Sequence, residues 1–367
     1  MKKKKIKVVH YLPSMINGGI ESMLLNYCTK LCDTFDFVFI INGTFEDKCY
    51  GKFKRISSKI YQVPYWKHNF FKHNRILFDI LKKEKPMIFH VHFGIANFLA
   101  CFIAQLSGIK IRISHCHTYK PSKNLKEKVF TFLSKLFATN NVACGKGAAE
   151  FLVGKKQIDS VKVLYNAIDL KKYKYSEKKR NEIRQKYGIL DKKIYGNVGR
   201  FSFQKNQLFL IDIFEEIYRR DNESYFFIIG GNDNEYDQVI SKLNSSTIKD
   251  NCIILKDINN VYDYYSAFDV LLLPSLYEGF AVTVVEAQAS SLPCILSPTI
   301  TKEFNSNCIF FAEDLINYKK WADISMKDYK INRNSNIVDL SKFDINKSYL
   351  DMSNLYKSCL GGDKFEK

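Results

Sequence analysis

The sequence is poor in features that would anchor or cross-link it. Its 367 residues hold 2 Trp and 7 Pro, and no apolar run approaches the roughly 18–20 residues that cross a bilayer. A chain that spans a membrane is therefore not expected. There are ten cysteines but no CxxC pair and no zinc-ligand spacing. Cys28 and Cys32 fall at i, i+4 on an expected helix and the others scatter over expected strands. This pattern reads as reduced, mostly buried thiols in a cytosolic protein. G-x-G-x-x-G is absent, and no acidic residue ends a second strand about 20 residues after Gly18-Gly19 to take a ribose, which disfavours a Rossmann dehydrogenase. The opening MKKKKIKVVHYLPS imitates the basic region of a signal peptide. Only a few apolar residues follow, broken by His10 and Pro13, with no small-residue cleavage site. It reads as a solvated tail leading into the strand IKVVHYL.

Acidic residues are scarce in one half only. Residues 1–168 hold 28 Lys/Arg against 10 Asp/Glu, and residues 169–367 hold 28 of each, so the whole net charge of +18 lies in the first half. A basic half faces something anionic: nucleic acid, an acidic membrane surface or a phosphorylated substrate. The competing reading is a lysine-rich solvated surface.

At this length the default is two domains. Short apolar runs alternate with helical-period segments throughout. The first half has IKVVHYL, FDFVFIIN, PMIFHVHFG, IRISHCHT and NVACG, and the second has KKIYGNVGR, SYFFIIGG, CIILK, DVLLLPS and PCILS. Strand–helix alternation twice over predicts two α/β domains with parallel, doubly wound sheets. The junction is expected in KVLYNAIDLKKYKYSEKKRNEIR, a strand followed by a charged linker. The domains are then 1–168 and 169–345, with 346–367 a final helix crossing back to the first. Ligands of such sheets bind at the carboxyl ends of strands, so each loop after a strand is a candidate site.

Three loops stand out. In HYLPSMINGGIESML, Gly18 and Gly19 precede a helix. Paired glycines admit a close backbone approach, and a helix start offers free N–H groups to an anion; an ordinary turn fits equally. In NVGRFSFQKNQ a strand ends at Gly199, and Arg200, Lys205 and Asn206 follow. Two cations there would clamp a diphosphate, Arg as a planar fork and Lys as a point charge; the alternative is two surface cations. In PSLYEGFAVTVVEAQA, Glu278 lies in a loop and Glu286 on a short helix, both among apolar neighbours. The amides near Ala281, Val282 and Thr283 can receive a phosphate or a hydroxyl. Ionised carboxylates only accept hydrogen bonds, so two of them facing one pocket suit a polyhydroxylated ligand.

These residues carry a resemblance. YEGFAVTVVE resembles the Glu-x₇-Glu motif of glycosyltransferase family 4, whose members are retaining and have the GT-B fold. GGIESMLLNY, IRISHCHTYK, NVACGKGAAEFLVG, KVLYNAIDLKKY and VGRFSFQKNQ resemble further segments of that family, in order over more than 280 residues. PSLYEGF…EAQASSLPCILSPTITKE is especially similar to the subgroup that builds bacterial capsule and exopolysaccharide. The resemblance implies two Rossmann-like domains facing across a cleft, the first for the acceptor and the second for the nucleotide sugar. It implies that Arg200 and Lys205 hold the nucleotide diphosphate and stabilise the leaving charge. Glu286 would take the ribose hydroxyls and Glu278 the transferred sugar. Gly18 and Gly19 would let a loop close on the diphosphate and acceptor, and His117 would stand at the sugar.

His90, His92, His115 and His117 all lie near strand ends, a grouping that raises zinc. None has finger spacing, although H-x-H on a strand puts both rings on one face. His90 and His92 read as structural, and His115 remains an alternative to His117. The resemblance implies no metal and no cofactor, the nucleotide sugar being a co-substrate. Ala281 replaces the family's frequent Gly or Pro, Ser291 a helix-ending Gly and Ala167 the linker Gly. ILKDINNV replaces a Gly-containing loop near the base. The loss of glycine at 291 predicts a different helix cap.

The expected function is transfer of a hexose or N-acetylhexosamine from a nucleotide sugar, UDP-linked, to a glycan on polyprenyl diphosphate at the inner face of the cytoplasmic membrane. An epimerase or phosphorylase of the same architecture, or a nucleic-acid-binding protein, are the alternatives; the last has no recognised module and leaves Glu278 and Glu286 unexplained. Residues 65–85 and 119–137 mix cations with aromatics. Either they form interfacial helices on an anionic leaflet or they pack their aromatics in the core.

Overall fold

The computed structural model describes residues 5–16, 18–94, 97–120, 122–231, 233–304, 306, 308–334 and 338–361. The basic start at 1–4 and the end at 362–367 therefore lie outside the described residues. The chain divides into one unit of Met1–Ile168 with Lys342–Lys367 and another of Asp169–Ser341.

The first unit holds seven parallel strands: β1 (Ile6–Leu12), β2 (Phe35–Asn42), β3 (Lys59–Val63), β4 (Ile88–Val91), β5 (Ile111–Cys116), β6 (Asn140–Ala143) and β7 (Lys162–Val163), in the order β3-β2-β1-β4-β5-β6-β7. The central strands are near-continuous apolar runs because helices cover both faces. Alternation along each strand sends the two sets of side chains to opposite faces. Val8, Leu12, Phe35, Phe37, Phe39 and Ile41 pack with Met23, Leu24 and Tyr27 of the helix Gly19–Leu31. The C-terminal helix Ile345–Cys359 joins that face through Met352, Leu355 and Tyr356. Val9, Tyr11, Val38, Ile40 and Val91 pack on the other face with Leu77 and Leu81 of the helix Phe70–Glu84 and Ala100 and Ile103 of Asn97–Leu106. Ile168 and Asp344 form an isolated parallel bridge: Ile168 N donates to Phe343 O at 2.9 Å and Ile345 N to Ile168 O at 2.9 Å.

The second unit holds β8 (Ile194–Val198), β9 (Tyr225–Gly230), β10 (Cys252–Lys256), β11 (Val270–Leu273), β12 (Cys294–Leu296) and β13 (Ile309–Phe311), in the order β10-β9-β8-β11-β12-β13, all parallel. The helix Gln207–Arg220 buries Leu210, Ile211, Ile213, Phe214 and Ile217 at helical spacing against Tyr195, Phe226 and Ile228. Each of those side chains contributes about 1.5–3 kcal/mol of burial. In each sheet the strand order reverses once, between β1 and β4 and between β8 and β11. Such a switch point opens a crevice at the strands' carboxyl ends.

Two local expectations change. The charged linker after Ile168 is largely helical, as Leu170–Tyr173 and Glu177–Lys186. Ser176 caps the second helix by accepting from Lys179 N, and the otherwise polar helix is pinned where Arg180 and Arg184 meet Asp269 at 2.6 and 2.7 Å. Ser291, where a different cap was expected, keeps the left-handed turn itself, at φ +48, with Leu292 N donating to Ala287 O at 3.0 Å. A non-glycine residue pays about 1–2 kcal/mol for that backbone.

Candidate functional site

In the second unit, the ends of β8 and β9 touch. Gly199 N donates to Ile229 O at 2.9 Å and Phe201 N to Gly231 O at 3.3 Å. A Cβ at Gly230 would stand 2.0 Å from Gly199 O. A Cβ at Gly199 would meet Cε of Lys205 at 3.0 Å, so that stem lies directly over the strand end. Asn206 takes a left-handed backbone, φ +57, before the helix Gln207–Arg220. Its Nδ2 donates to Pro274 O at 3.2 Å. Leu276 N donates to Gln204 O at 2.8 Å, and Gln204 Nε2 reaches Tyr277 O at 2.9 Å. The loop after β8 is thus laced to the loop after β11, across the switch point.

That lacing brings Lys205 and Glu278 together, Nζ to Oε1 at 2.7 Å, with the two side chains 15% and 7% exposed. Gln204 Nε2 donates to the other Glu278 oxygen at 3.0 Å. A buried carboxylate needs such partners. Arg200 turns elsewhere: half exposed, it meets Asp233 at 3.3 Å. The two cations expected as one clamp are therefore separate, Lys205 inward and Arg200 outward from the same strand end.

The helix Val282–Ala289 starts at Ala281 with no side-chain cap. Val282 N donates back to Phe280 O at 3.0 Å, and Thr283 Oγ1 to Val198 O at 3.3 Å. Glu286, one turn in, accepts from Tyr173 at 2.9 Å and Tyr265 at 2.5 Å, one hydroxyl on each oxygen. Burial raises its pKa, against the pull of Tyr265, Tyr173 and the Lys205 charge. Each oxygen keeps room for a second donor. Sequence reasoning missed both tyrosines. VYDYYSAF is visibly tyrosine-rich, but no spacing says which hydroxyl turns to Glu286. The site thus offers a cation, two acceptors and a helix start, a set suited to a ligand with hydroxyls and negative charge.

In the first unit, Gly18 caps the helix Gly19–Leu31 with extended backbone. A Cβ there would stand 2.6 Å from Glu21 Oε2, so glycine is what lets that carboxylate fold back over the helix start. Glu21 also accepts from Ser14 Oγ at 3.3 Å. At Gly19 nothing lies within 4 Å of such a Cβ.

His117 does not stand by itself. Parallel register sets His10 opposite His90, and alternation carries His92, His115 and His117 to the same side. Tyr356 OH contacts His90 Nδ1 at 2.9 Å and His10 Nε2 at 3.3 Å. His90 Nε2 meets His115 Nδ1 at 3.2 Å, His10 Nδ1 meets His92 Nε2 at 3.0 Å, and His92 Nδ1 meets His117 Nε2 at 3.0 Å. Burial takes His10 and His117 down to about 3 and the other three well below their ordinary value. His117 keeps part of its surface exposed, whereas the other four are sealed. All five are neutral at pH 7. Sequence reasoning grouped four of them near strand ends and passed over His10, because His10's proximity comes from strand register rather than spacing.

Two family descriptions match the chain: Glycosyltransferase Family 4 over residues 17–172 and Glycosyl transferases group 1 over residues 179–302. The capsular polysaccharide biosynthesis glycosyltransferase CapH of Staphylococcus aureus is 24% identical over 368 residues, covering 96% of this chain and 99% of its own. The UDP-Gal:α-D-GlcNAc-diphosphoundecaprenol α-1,3-galactosyltransferase of Escherichia coli is 27% identical over 233 residues, 60% of each chain. Among solved structures, Anabaena Alr3699/HepE in complex with UDP superposes with a TM-score of 0.79 at 15% identity, over 96% of this chain and 100% of that one. Two parallel sheets with one strand order, those matches and that superposition agree, and the chain belongs to glycosyltransferase family 4, with the GT-B fold.

Proposed function

We propose that this glycosyltransferase moves a hexose or N-acetylhexosamine from a UDP-sugar to a glycan on polyprenyl diphosphate, with retention of configuration, in capsule or exopolysaccharide synthesis. The observation that carries the reading is the convergence of Lys205, Glu278 and Glu286 where β8 and β11 part. Lys205 holds the diphosphate and meets the charge on the departing UDP. Glu286, already oriented by Tyr173 and Tyr265, takes the ribose hydroxyls. Glu278 receives the transferred sugar, and Gly199, Asn206 and the backbone of Ala281, Val282 and Thr283 line the phosphate path. Arg200 releases Asp233 to join Lys205 on the diphosphate. Gly18, Gly19 and His117 serve the acceptor and sugar. This chemistry uses protein cations in place of a metal. The relatives' names, with UDP-galactose, a diphosphoundecaprenol acceptor and capsule synthesis, support the donor, acceptor and pathway.

The acceptor lipid places the enzyme at the inner face of the membrane. The helix Leu125–Phe137 exposes Leu125, Val129, Phe132 and Leu136, at 78%, 46%, 63% and 61%. That spacing is one apolar stripe, with exposed Lys126 and Lys128 beside it, as on an interfacial helix. Leu106 and Phe102 of the neighbouring helix extend the patch.

Thermal stabilisation across a panel of nucleotide sugars, then turnover with a lipid-linked glycan, tests the reading. Arg200→Ala and Lys205→Ala should chiefly lower turnover, by roughly 10²–10³, and Glu286→Ala should weaken donor binding. Wild-type behaviour in all three would remove the site. Product formed from donor without a glycan acceptor would favour an epimerase or phosphorylase.

A further inference from the structure

We propose that His92, His115 and His117 bind a divalent transition metal of the zinc class. The proposal does not rest on the sugar-donor reading. Each of the three offers a ring nitrogen within 4.8 Å of those of the other two. His115 Nε2 and His117 Nδ1 are sealed from solvent and have no hydrogen-bond partner among the described residues. An unmet buried polar nitrogen costs about 1–3 kcal/mol, and a metal bond at His115 Nε2 would remove that cost there. Imidazole is a common metal ligand, and it suits zinc, copper and nickel. A tetrahedral ion at about 2.0–2.1 Å from each nitrogen needs those atoms about 3.3 Å apart. His92 Nδ1 and His117 Nε2 stand at 3.0 Å in a hydrogen bond, so binding would replace that bond and turn the two rings, with His115, toward one ion.

The surroundings fit such a centre. His92 Nε2 meets His10 Nδ1 at 3.0 Å, and His115 Nδ1 meets His90 Nε2 at 3.2 Å. Outer partners of this kind fix ring orientation and tautomer in metal sites. The cluster lies at the carboxyl ends of β1, β4 and β5, at the switch point of the first sheet. His10, His90 and His92 form a second possible triad, but all three are fully buried. In the triad with His117, that residue alone keeps part of its surface exposed. In the sequence these histidines raise zinc through their places near strand ends and the H-x-H spacing, but finger spacing is lacking, and their convergence comes from strand register.

The experiment uses the full chain, stripped with a chelator and titrated with Co²⁺ and Zn²⁺. Expected are one Co²⁺ per chain with the intense visible absorption of a low-symmetry nitrogen site, displacement by Zn²⁺, and a rise in melting temperature. His115→Asn should weaken Zn²⁺ at least tenfold, while His73→Asn, outside the cluster, should leave it unchanged. Pale octahedral spectra, substoichiometric binding at micromolar metal, or equal affinity in His115→Asn would overturn the proposal. If His115→Asn does not fold, the wild-type spectrum and stoichiometry decide alone.

Discussion

Gly230→Ala adds one methyl group at the tightest backbone contact near the site. Its Cβ would stand 2.0 Å from Gly199 O and 2.9 Å from Gly199 C. Ordinary carbon–oxygen contact needs about 3.2 Å, so the strand ends must part by about 1.2 Å. No side chain can yield, because both contact atoms are backbone. The bonds from Gly199 N to Ile229 O and from Phe201 N to Gly231 O lie across the gap that must open. Forcing atoms into a packed region costs about 1–3 kcal/mol. The shift passes to Gly199 and Arg200 and to Lys205, whose stem lies over Gly199. A misplacement of about 1 Å can cost about 10² in rate. Melting temperature and steady-state turnover with saturating donor read the two effects. We expect a lower melting temperature and a kcat reduced about 100-fold in protein that still folds. A stable variant with wild-type kcat would refute the geometry. A destabilised variant with wild-type kcat would refute the link from Gly199 to the position of Lys205.

Glu84 is sealed. Burial alone would raise its pKa, but hydrogen bonds from Lys59, Lys7 and Tyr61 bring it down to about 2. Its folded pKa is depressed, so its contribution of up to about 3 kcal/mol is present above pH 4.5 and lost as pH falls toward 2. Acid unfolding of Glu84→Gln should lack that loss and start from a lower stability at pH 7. Gly51 lies exposed within the helix Asp47–Lys54 with nothing within 4 Å of an added Cβ. Gly51→Ala should raise stability by about 0.5–1 kcal/mol in urea titrations. Phe132→Ser with Leu136→Ser should abolish flotation with anionic vesicles while leaving the melting temperature within a degree or two. Unchanged flotation would remove the membrane role of that stripe.

The strands were legible because buried parallel strands must be apolar throughout, and runs such as FDFVFIIN and DVLLLPS admit little else. That Glu278 needs a partner was legible, since buried carboxylates require one. That the partner is Lys205 was not, because nothing local says that Gln204 and Asn206 stitch to Pro274, Leu276 and Tyr277 some 70 residues away. Arg200 looked equivalent to Lys205 in sequence, and only Asp233 separates their directions. His10's place in the histidine cluster was hidden for a related reason. Strand register sets His10 beside His90, and register is a property of the sheet rather than of any one strand. The aromatic stretches divided: Phe132 and Phe71 stay exposed, while the helix Phe70–Glu84 buries Leu77, Ile80 and Leu81.

The bridge between Ile168 and Asp344 bears on how such a protein can be rebuilt. The backbone leaves the first unit at Ile168 and returns beside it at Phe343, so residues 169–341 form a closed excursion from a body whose own ends are already joined by hydrogen bonds. A short loop from 168 to 342 would leave the first unit's core and its final helix intact. The second unit, entered after Ile168 and left before Lys342, is a cassette. Exchange of that cassette between relatives can change the half that holds Lys205, Glu278 and Glu286 without cutting a strand of either sheet.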